Sequence, residues 1–225
     1  FYVARYEAGL ANTIQEFTST QVHTGSNQVY NLEGKPQAKA GIIPWNFIDW
    51  TTSQENAKNM YNTSSVSSGL ITGTQWDVML NKMVEKGAIE SEDLTDSADW
   101  GNYSNNSIEY TGRMARAWYS GGWYQGAFGE KTTSKTTSYS SNNGDLLTTG
   151  ASRQTEKYHI YDVAGNLWEW TDECSTYSSN AQYRGLRGGY GVHSSSAYPA
   201  CYRDDITTVS CSSLFVGFRV VLYVK

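Results

Sequence analysis

The sequence predicts a single mixed domain in which two helices accompany short strands and long loops. Its 225 residues suit one large domain or two small ones, and one core is feasible at this length. Aromatic residues reach 14% and charged residues only 17%, which is typical of a folded domain and not of a disordered chain. Two stretches repeat apolar residues at helical spacing, whereas much of the remainder is rich in Gly, Ser, Thr and Asn.

The first third of the chain predicts one strand, one loop and one helix. Residues 1–7 alternate enough to indicate an opening strand. Residues 16–39 are polar and contain glycine and proline, which favours a loop with a short hairpin. An apolar, Trp-rich cluster then leads into a helix over about residues 53–61, with Thr51 or Thr52 as its N-cap.

The second helix has the clearest pattern in the chain. Thr72 is the expected N-cap, and Gln75 stands three residues later, as in a capping box. Gly87 is a natural residue just beyond the C-terminal end. Five residues form one apolar stripe that we expect to face the core: Trp76, Met79, Leu80, Met83 and Val84.

The centre of the chain is irregular until a distinctive turn and strand. Residues 91–153 are dominated by small polar residues and predict loops with short strands and a turn of helix near residues 114–118. Residues 161–170 then read as a turn followed by a strand whose successive side chains point to opposite faces.

The C-terminal stretch has two strand-like ends and an odd middle. The ends are residues 184–189 and 217–223, and between them residues 190–215 follow neither strand nor helix periodicity. We therefore expect a long ordered loop there. Ordered loops of this length inside a compact domain are uncommon and usually functional.

Charge and cysteine content exclude several classes of protein. The net charge is −5 without a Lys/Arg run, so nucleic acid is not an expected partner. No apolar run approaches the roughly 20 residues of a membrane span, so we expect no membrane insertion. Cys174, Cys201 and Cys211 match neither a disulfide framework nor a zinc pattern and predict free thiols. Because the chain opens at Phe1 without a signal peptide, we expect residues 1–225 to be the C-terminal domain of a longer protein.

Short motifs along the chain resemble the formylglycine-generating, sulfatase-modifying family. Residues 161–170 resemble its D-x-x-G-N-x-W-E-W signature, and the opening residues 1–7 resemble F-Y-x-x-x-Y-E. Residues 44–61 and 70–86 resemble its first and second helices, and the end of the chain resembles L-R-G-G followed by G-F-R. The resemblance implies an α+β, C-type-lectin-like fold with irregular antiparallel strands, two helices, long loops and paired termini.

The same resemblance raises the possibility of an oxidase acting on a sulfatase cysteine. Such enzymes carry two cysteines after the G-G pair, and their soft thiolates bind copper(I). Here only Cys201 lies near the second position, the first falls near His193, and Cys211 has no counterpart. Related iron enzymes need a His-rich site, and the only other histidines are His23 and His159. We therefore predict that the chain is not an enzyme and that His193 and Cys201 are ordinary loop residues.

A structural calcium ion is the one cofactor that the resemblance leaves open. In the family a D/N-x-x-G-x-x-x-E spacing binds calcium, and the matching positions here are Asp162, Gly165, Leu167 and Glu169. The alternative is that Asp162 caps the turn while Glu169 pairs with an arginine such as Arg219. The sequence does not decide between these two interpretations.

The composition of residues 190–215 suggests a second resemblance within this family. The segment contains no Lys, Glu, Gln, Met or Trp. Diversity-generating retroelements replace adenines, mostly in Asn codons, and cannot produce those five residue types. Their variable proteins are similar to this chain in fold, and their variable segment likewise lies between R-G-G and G-F-R. The resemblance implies a phage tail receptor-binding protein or a bacterial surface protein, made in the bacterial cytoplasm, that binds a cell-surface protein or glycan.

On that hypothesis, residues 190–215 are the binding surface and the rest is scaffold; a generic lectin-like sugar-binding domain is the other alternative. Five residues are candidate hot spots because aromatic anchors dominate interfaces: Tyr190, His193, Tyr198, Tyr202 and Phe215. Apolar contact is expected from Ile206, Val209 and Leu214, whereas Asp204 and Asp205 favour a basic patch on the partner. The further candidate contact residues are Val192, Ser195, Ala197, Cys201, Cys211 and Ser213.

Overall fold

The computed structural model describes residues 1–10, 36–106, 108, 116–119, 122–125, 146–175 and 182–225. Within them the chain forms two α-helices, one 3₁₀ turn at Glu92–Leu94 and many short strands. The helices are α1 (Trp50–Met60) and α2 (Gly73–Glu85). The strands are β1 (Tyr2–Val3), β2 (Gly9–Leu10), β3 (Pro36–Gln37), β4 (Val66–Leu70), β5 (Arg116–Tyr119), β6 (Gly122–Gln125), β7 (Leu146–Leu147), β8 (Trp168–Cys174), β9 (Tyr183–Arg187), β10 (Arg203–Thr208), β11 (Val216–Phe218) and β12 (Val220–Val224).

Helix α1 begins earlier than its sequence pattern predicts. Its N-cap is Asp49, whose carboxylate accepts a hydrogen bond from the backbone N–H of Thr52 at 2.8 Å. Thr52 is thus the third helical residue, and the prediction that Thr51 or Thr52 caps the helix is wrong. An aspartate at the N-cap satisfies a free N–H and places negative charge at the positive end of the helix dipole.

Removing this cap tests the corrected boundary. We expect Asp49→Ala to lower the free energy of unfolding by about 1 kcal/mol, because Thr52 N–H loses its acceptor. Thr52→Ala is the matched control and is expected to cost far less. Urea unfolding curves measure both changes, and equal costs for the two variants would contradict this cap.

Helix α2 agrees with its sequence pattern at both ends. Thr72 Oγ1 accepts from Gln75 N–H at 3.2 Å, and the Gln75 side chain accepts from Thr72 N–H at 3.0 Å. Gly87 follows the helix with a φ of 65°. Four residues of the predicted stripe are buried and Val84 packs beside them: Trp76, Met79, Leu80 and Met83.

The two termini meet in one antiparallel sheet, as predicted. Its strand order is β1-β12-β4, and Tyr2 lies opposite Leu222. Strand β12 then pairs along its whole length with β4. Two further sheets pair β2 with β3, and β5 with β6 and β7. Most of the loop predicted at residues 16–39 lies outside the described residues.

A four-stranded sheet, in the order β10-β9-β8-β11, carries the C-terminal part of the chain. Strand β8 is antiparallel to β9 and parallel to β11. Strand β10 lies inside residues 190–215, so the prediction of loop throughout that segment is wrong for Arg203–Thr208. The backbone groups of β10 find hydrogen-bond partners in β9, and this pairing does not require polar and apolar side chains to alternate along the strand. The helical turn predicted near residues 114–118 is also wrong for residues 116–118, because they belong to β5 and pair with β6. Residues 114 and 115 lie outside the described part of the chain.

The core lies between the helices and these sheets and is rich in tryptophan. Trp45 and Trp170 pack with Phe218 in one cluster, and Trp76 and Trp100 belong to a second. In the described part of the chain, none of the helices has the length and apolarity that crossing a bilayer requires. These features agree with the predicted α+β, C-type-lectin-like fold.

Candidate functional site

Residues 190–215 leave the sheet after β9 through two glycines. Gly188 and Gly189 have φ angles of 90° and 73°, a region that glycine adopts without a Cβ penalty. A Cβ at Gly189 would also collide with the carbonyl oxygen of Tyr198 and approach the ring of Tyr103. The two glycines are therefore required by the turn that opens the segment.

Buried hydrogen bonds tie the segment to the scaffold. Ser195 is completely buried, its hydroxyl donates to the Asp96 carboxylate, and its N–H donates to Asn105 Oδ1 at 3.0 Å. Ala200 is also buried, and its carbonyl accepts from the indole N–H of Trp76 at 3.0 Å. Because these bonds hold the backbone in place beforehand, less ordering is needed when a ligand binds.

Three tyrosines of the segment pack around one tryptophan of the scaffold. The ring centroids of Tyr190, Tyr198 and Tyr202 lie 5.8, 5.6 and 5.7 Å from that of Trp168, at the start of β8. Tyr198 and Tyr202 also meet edge to face at 4.9 Å. Aromatic pairs at such separations attract one another beyond the burial of their surface. The buried Trp168 is therefore the shared packing partner of these three rings.

The two other aromatic candidates join the same group. His193 lies edge to face against Tyr190 at 4.6 Å and against Tyr198 at 4.5 Å. Phe215 lies 5.1 Å from Tyr190. All five predicted hot-spot residues are thus brought together, although they are spread over 26 positions of the sequence. We call the following residues the aromatic cluster: Trp168, Tyr190, His193, Tyr198, Tyr202 and Phe215.

The outer part of the segment exposes apolar and small residues. Tyr202 is 37% exposed and Ile206 59%, and both belong to the exposed large apolar residues of the protein. Ala197 is also exposed. These residues are therefore accessible from outside the aromatic cluster.

The other predicted contact residues are less accessible. Ser195 does not reach the surface, and the side chain of Asp205 lies outside the described part of the chain. Leu214 and Phe215 are partly buried against Leu146 and Leu167. The remaining candidates are half-buried: Val192, Cys201, Asp204, Val209, Cys211 and Ser213.

Among the described strands, β10 lies at one edge of its sheet, and two of its features disfavour pairing with a further strand. Its pairing register with β9 shifts between Asp204 and Thr207. The N–H of Ile206 in this bulge donates to Asp204 Oδ1 at 3.2 Å, so the carboxylate occupies a donor that a further strand would need. Bulges and charged side chains are common means of preventing strand addition. Recognition here would therefore depend on side chains.

The candidate metal-binding residues of the segment have packing roles. Cys201 is half-buried, and its carbonyl accepts from Arg187 Nη1 at 2.8 Å. His193 lies within the aromatic cluster, where burial lowers its pKa. None of Cys174, Cys201 and Cys211 forms a disulfide. The described residues include no group of three or more His, Cys, Asp or Glu that could hold a metal ion.

The carboxylates of the calcium hypothesis already have protein donors. Both are completely buried. Asp162 accepts from Gly150 N–H at 2.6 Å and from Thr155 Oγ1 at 2.7 Å. Glu169 accepts from Arg219 Nε at 2.9 and 3.1 Å and from Arg219 Nη2 at 2.6 Å. The pairing of Glu169 with Arg219 is therefore the one observed, and Asp162 is held by the hydrogen bonds from Gly150 and Thr155. A structural calcium ion at these residues stays a prediction.

Glu7 is a third buried carboxylate beside this pair. Its Oε2 accepts from Asn166 Nδ2 at 2.7 Å, whereas its Oε1 has no hydrogen-bond partner among the described residues. Burial, and then the charges of Asp162 and Glu169, raise the pKa of Glu7 well above its ordinary value. The folded protein therefore binds a proton at Glu7 more tightly than the unfolded chain does.

We expect Glu7→Gln to raise the melting temperature at about pH 8 and to change it little near pH 4. Since the pKa of Glu7 is higher in the folded state, its bound proton stabilises the protein below the unfolded-state pKa. That contribution is lost as the pH rises through the folded-state pKa. Glutamine never ionises and still offers Asn166 an acceptor. Glu55→Gln, at an exposed site on α1, is the control for melting curves at both pH values. An equal change for Glu7→Gln at the two pH values would refute this account.

Sequence reasoning does not identify Trp168 as part of this surface. It belongs to the most specific motif of the chain, but that motif predicts only a strand. Its contacts with Tyr190, Tyr198 and Tyr202 arise because β8 lies under the segment in the folded sheet. No signal within the motif points to residues more than twenty positions away.

Comparisons with known proteins agree with this architecture. A family model described as the sulfatase-modifying factor enzyme 1-like domain matches residues 99–224, more than half of the chain. The solved structure of CarF is 14% identical, with 99% of this chain and 85% of CarF covered and a TM-score of 0.56; this likeness shows the fold alone. No curated protein matches the sequence.

Two further solved structures superpose more loosely. Treponema denticola variable protein 1 is 15% identical over 90% of this chain and 79% of its own, with a TM-score of 0.44. PvdO from Pseudomonas aeruginosa is 14% identical over 84% of this chain and 66% of its own, with a TM-score of 0.45.

Proposed function

Because the chain belongs to the sulfatase-modifying factor enzyme 1-like family, we propose that it is a non-catalytic member diversified by a retroelement. On this proposal, residues 190–215 bind a protein or glycan ligand on a cell surface. The protein would act in a phage tail or on a bacterial surface. It would need no cofactor.

The observation that carries the proposal is the aromatic cluster. Three of its five rings from residues 190–215 contact Trp168, and the other two, His193 and Phe215, pack on those tyrosines. The residue types of that segment are all ones that adenine replacement can produce. Tyrosine supplies a large contact area with little loss of conformational entropy, as in antibody loops. The hydrogen bonds that join Ser195 and Ala200 to the scaffold support the same proposal. They fix the backbone, so neighbouring residues can be substituted without moving it.

The family also includes formylglycine-generating enzymes, and the thiols of this chain bear on that alternative. An oxidase of that type needs two cysteines close together, and Cys201 is the only one near the expected positions. Purified protein loaded with copper(I) should leave a cysteine-containing sulfatase peptide unchanged. Conversion of that peptide to formylglycine would overturn the proposal.

Binding to whole cells tests the surface directly. We expect the labelled domain to bind some strains of a bacterial panel, and expect Tyr202→Ala/Ile206→Ala to lose that binding. The matched control is Thr74→Ala/Val78→Ala on α2, where both positions are exposed. Each pair removes exposed side chains, so the comparison isolates the segment. Equal binding by both double variants would place the binding surface elsewhere.

The genetic part of the proposal has its own test. The gene should lie near a reverse transcriptase gene and a second copy of the coding segment for residues 187–219. The two copies should differ only where the second has adenine. Sequencing the locus in related isolates measures this, and substitutions scattered equally over all four bases would exclude retroelement diversification.

A further inference from the structure

Arg203 is the first residue of β10, and its side chain points to the scaffold. Its Nε lies 2.8 Å from Glu173 Oε1 on β8, and its Nη2 lies 3.6 Å from Asp77 Oδ2 on α2. Both partners lie outside residues 190–215. Arg203 therefore links the segment to two elements of the scaffold.

A second arginine shares the same two carboxylates. Arg187, on β9, is almost fully buried; it pairs with Asp77, and its Nε lies 4.0 Å from Glu173 Oε2. Burial, and then the charge of Arg203, lower the pKa of Arg187 to about 10, so Arg187 is still a cation at neutral pH. Two cations and two anions from four elements thus balance at this point. Removal of either arginine would leave an excess of negative charge in a partly buried place.

Glu173 is confined by close packing. Its side chain is only 14% exposed. It lies against Gly73, the first residue of α2, where a Cβ would overlap the carboxylate, and against Gly185 of β9. The start of a helix also favours a negative charge. Glu173 is therefore held where Arg203 reaches it.

Arg203 adjoins the most exposed ring of the aromatic cluster. Tyr202, one residue earlier, lies 5.7 Å from Trp168 and 4.9 Å from Tyr198. With the ion pairs of Arg203 on one side and the buried Ala200 on the other, the backbone at Tyr202 is held from both directions.

We propose that Arg203 is a positioning residue whose position must keep a positive charge, whereas the adjacent Tyr202 is free to vary. This inference rests on the proposed function, since it concerns which positions of the diversified surface can change. Arginine is among the residues that adenine replacement produces, so composition alone would leave position 203 variable. The ion pairs of Arg203 restrict which residues can stand there. An aspartate would repel the carboxylates of Asp77 and Glu173. A neutral residue would leave these two carboxylates with Arg187 as the one arginine of this group.

Paired single-codon libraries at positions 202 and 203, displayed on yeast, test the inference. After sorting for resistance to protease, we expect position 202 to retain most residue types and position 203 to return to arginine, with some lysine. Similar tolerance at the two positions would overturn the proposal. The sorting needs no ligand, so its outcome is independent of whether the cell-binding experiment succeeds.

Spectroscopy separates positioning from simple stabilisation. We expect Arg203→Ala to lower the melting temperature by roughly 5 °C and, well below that temperature, to shift the Tyr202 ring and Trp168 indole NMR signals. Arg203→Lys should keep most of both properties, because the charge is preserved. Arg5→Ala, at an exposed arginine outside the segment, is the control and should leave the signals unchanged. Unchanged Tyr202 and Trp168 signals in folded Arg203→Ala would refute the positioning role.

Discussion

Arg219→Ala is expected to lower the free energy of unfolding by about 3–5 kcal/mol, because it leaves the carboxylate of Glu169 buried without its cation. Both residues are completely buried. Arg219 also donates to the backbone carbonyls of Ala4 at 3.1 Å and Tyr161 at 2.8 Å, so it joins the N-terminal strand region to the turn before β8. Guanidine hydrochloride unfolding followed by tryptophan fluorescence measures the change.

Two further variants make this prediction specific. Arg5→Ala removes an exposed arginine and should change stability by less than about 0.5 kcal/mol. Arg219→Met with Glu169→Gln removes both charges and should recover part of the loss, since an unpaired buried charge costs more than an apolar replacement. A loss below about 1 kcal/mol for Arg219→Ala would contradict the stabilising role of the pair.

Trp168→Ala is expected to cost about 3–5 kcal/mol of stability, because it empties the space beneath the aromatic cluster. Trp168 is 6% exposed and contacts Tyr190, Tyr198 and Tyr202. In this variant the tyrosine rings lose their shared packing partner. Their NMR chemical shifts, distinct in the native protein, should therefore move toward those of free tyrosine. Thermal melting and aromatic NMR spectra measure the two effects.

Tyr202→Ala is the control for this second prediction. It removes a ring of the same cluster at a more exposed position, so its cost should stay within about 1 kcal/mol. The signals of Tyr190 and Tyr198 should remain distinct in that variant. If the two variants lost the same stability, Trp168 would have no special place in the cluster.

Local signals in the sequence predicted those elements whose interactions are themselves local. The capping box of Thr72 and Gln75 spans three residues, and the stripe beginning at Trp76 repeats along one helix face. The N-cap of α1 was misplaced because Thr52 and Glu55 imitate a capping box, while Asp49 three residues earlier makes the observed hydrogen bond. Competing local patterns of similar strength are not resolved by spacing alone.

Strand assignments failed where the strand has no alternation of polar and apolar side chains. β10 has no alternation that would mark it as a strand, yet it pairs with β9 from Arg203 to Thr208. β5 lies in a stretch without clear periodicity and is a strand because β6 and β7 flank it. Ladder hydrogen bonds between backbones can form with many side-chain sequences, so they leave only a weak trace in the sequence.

By itself, the sequence determined the family and the two helices, because their signals are short motifs of residues close together in the chain. It also predicts residues 190–215 as a binding segment, which remains a proposal. The five aromatic residues of the segment were likewise evident from composition. Only the tertiary structure decided that three of them, Tyr190, Tyr198 and Tyr202, contact Trp168. It also decided that Glu169 pairs with Arg219 and that Arg203 reaches Asp77 and Glu173. The physical reason is that these contacts join residues 22 to 126 positions apart, and packing and charge balance at such separations depend on how the strands are arranged in space.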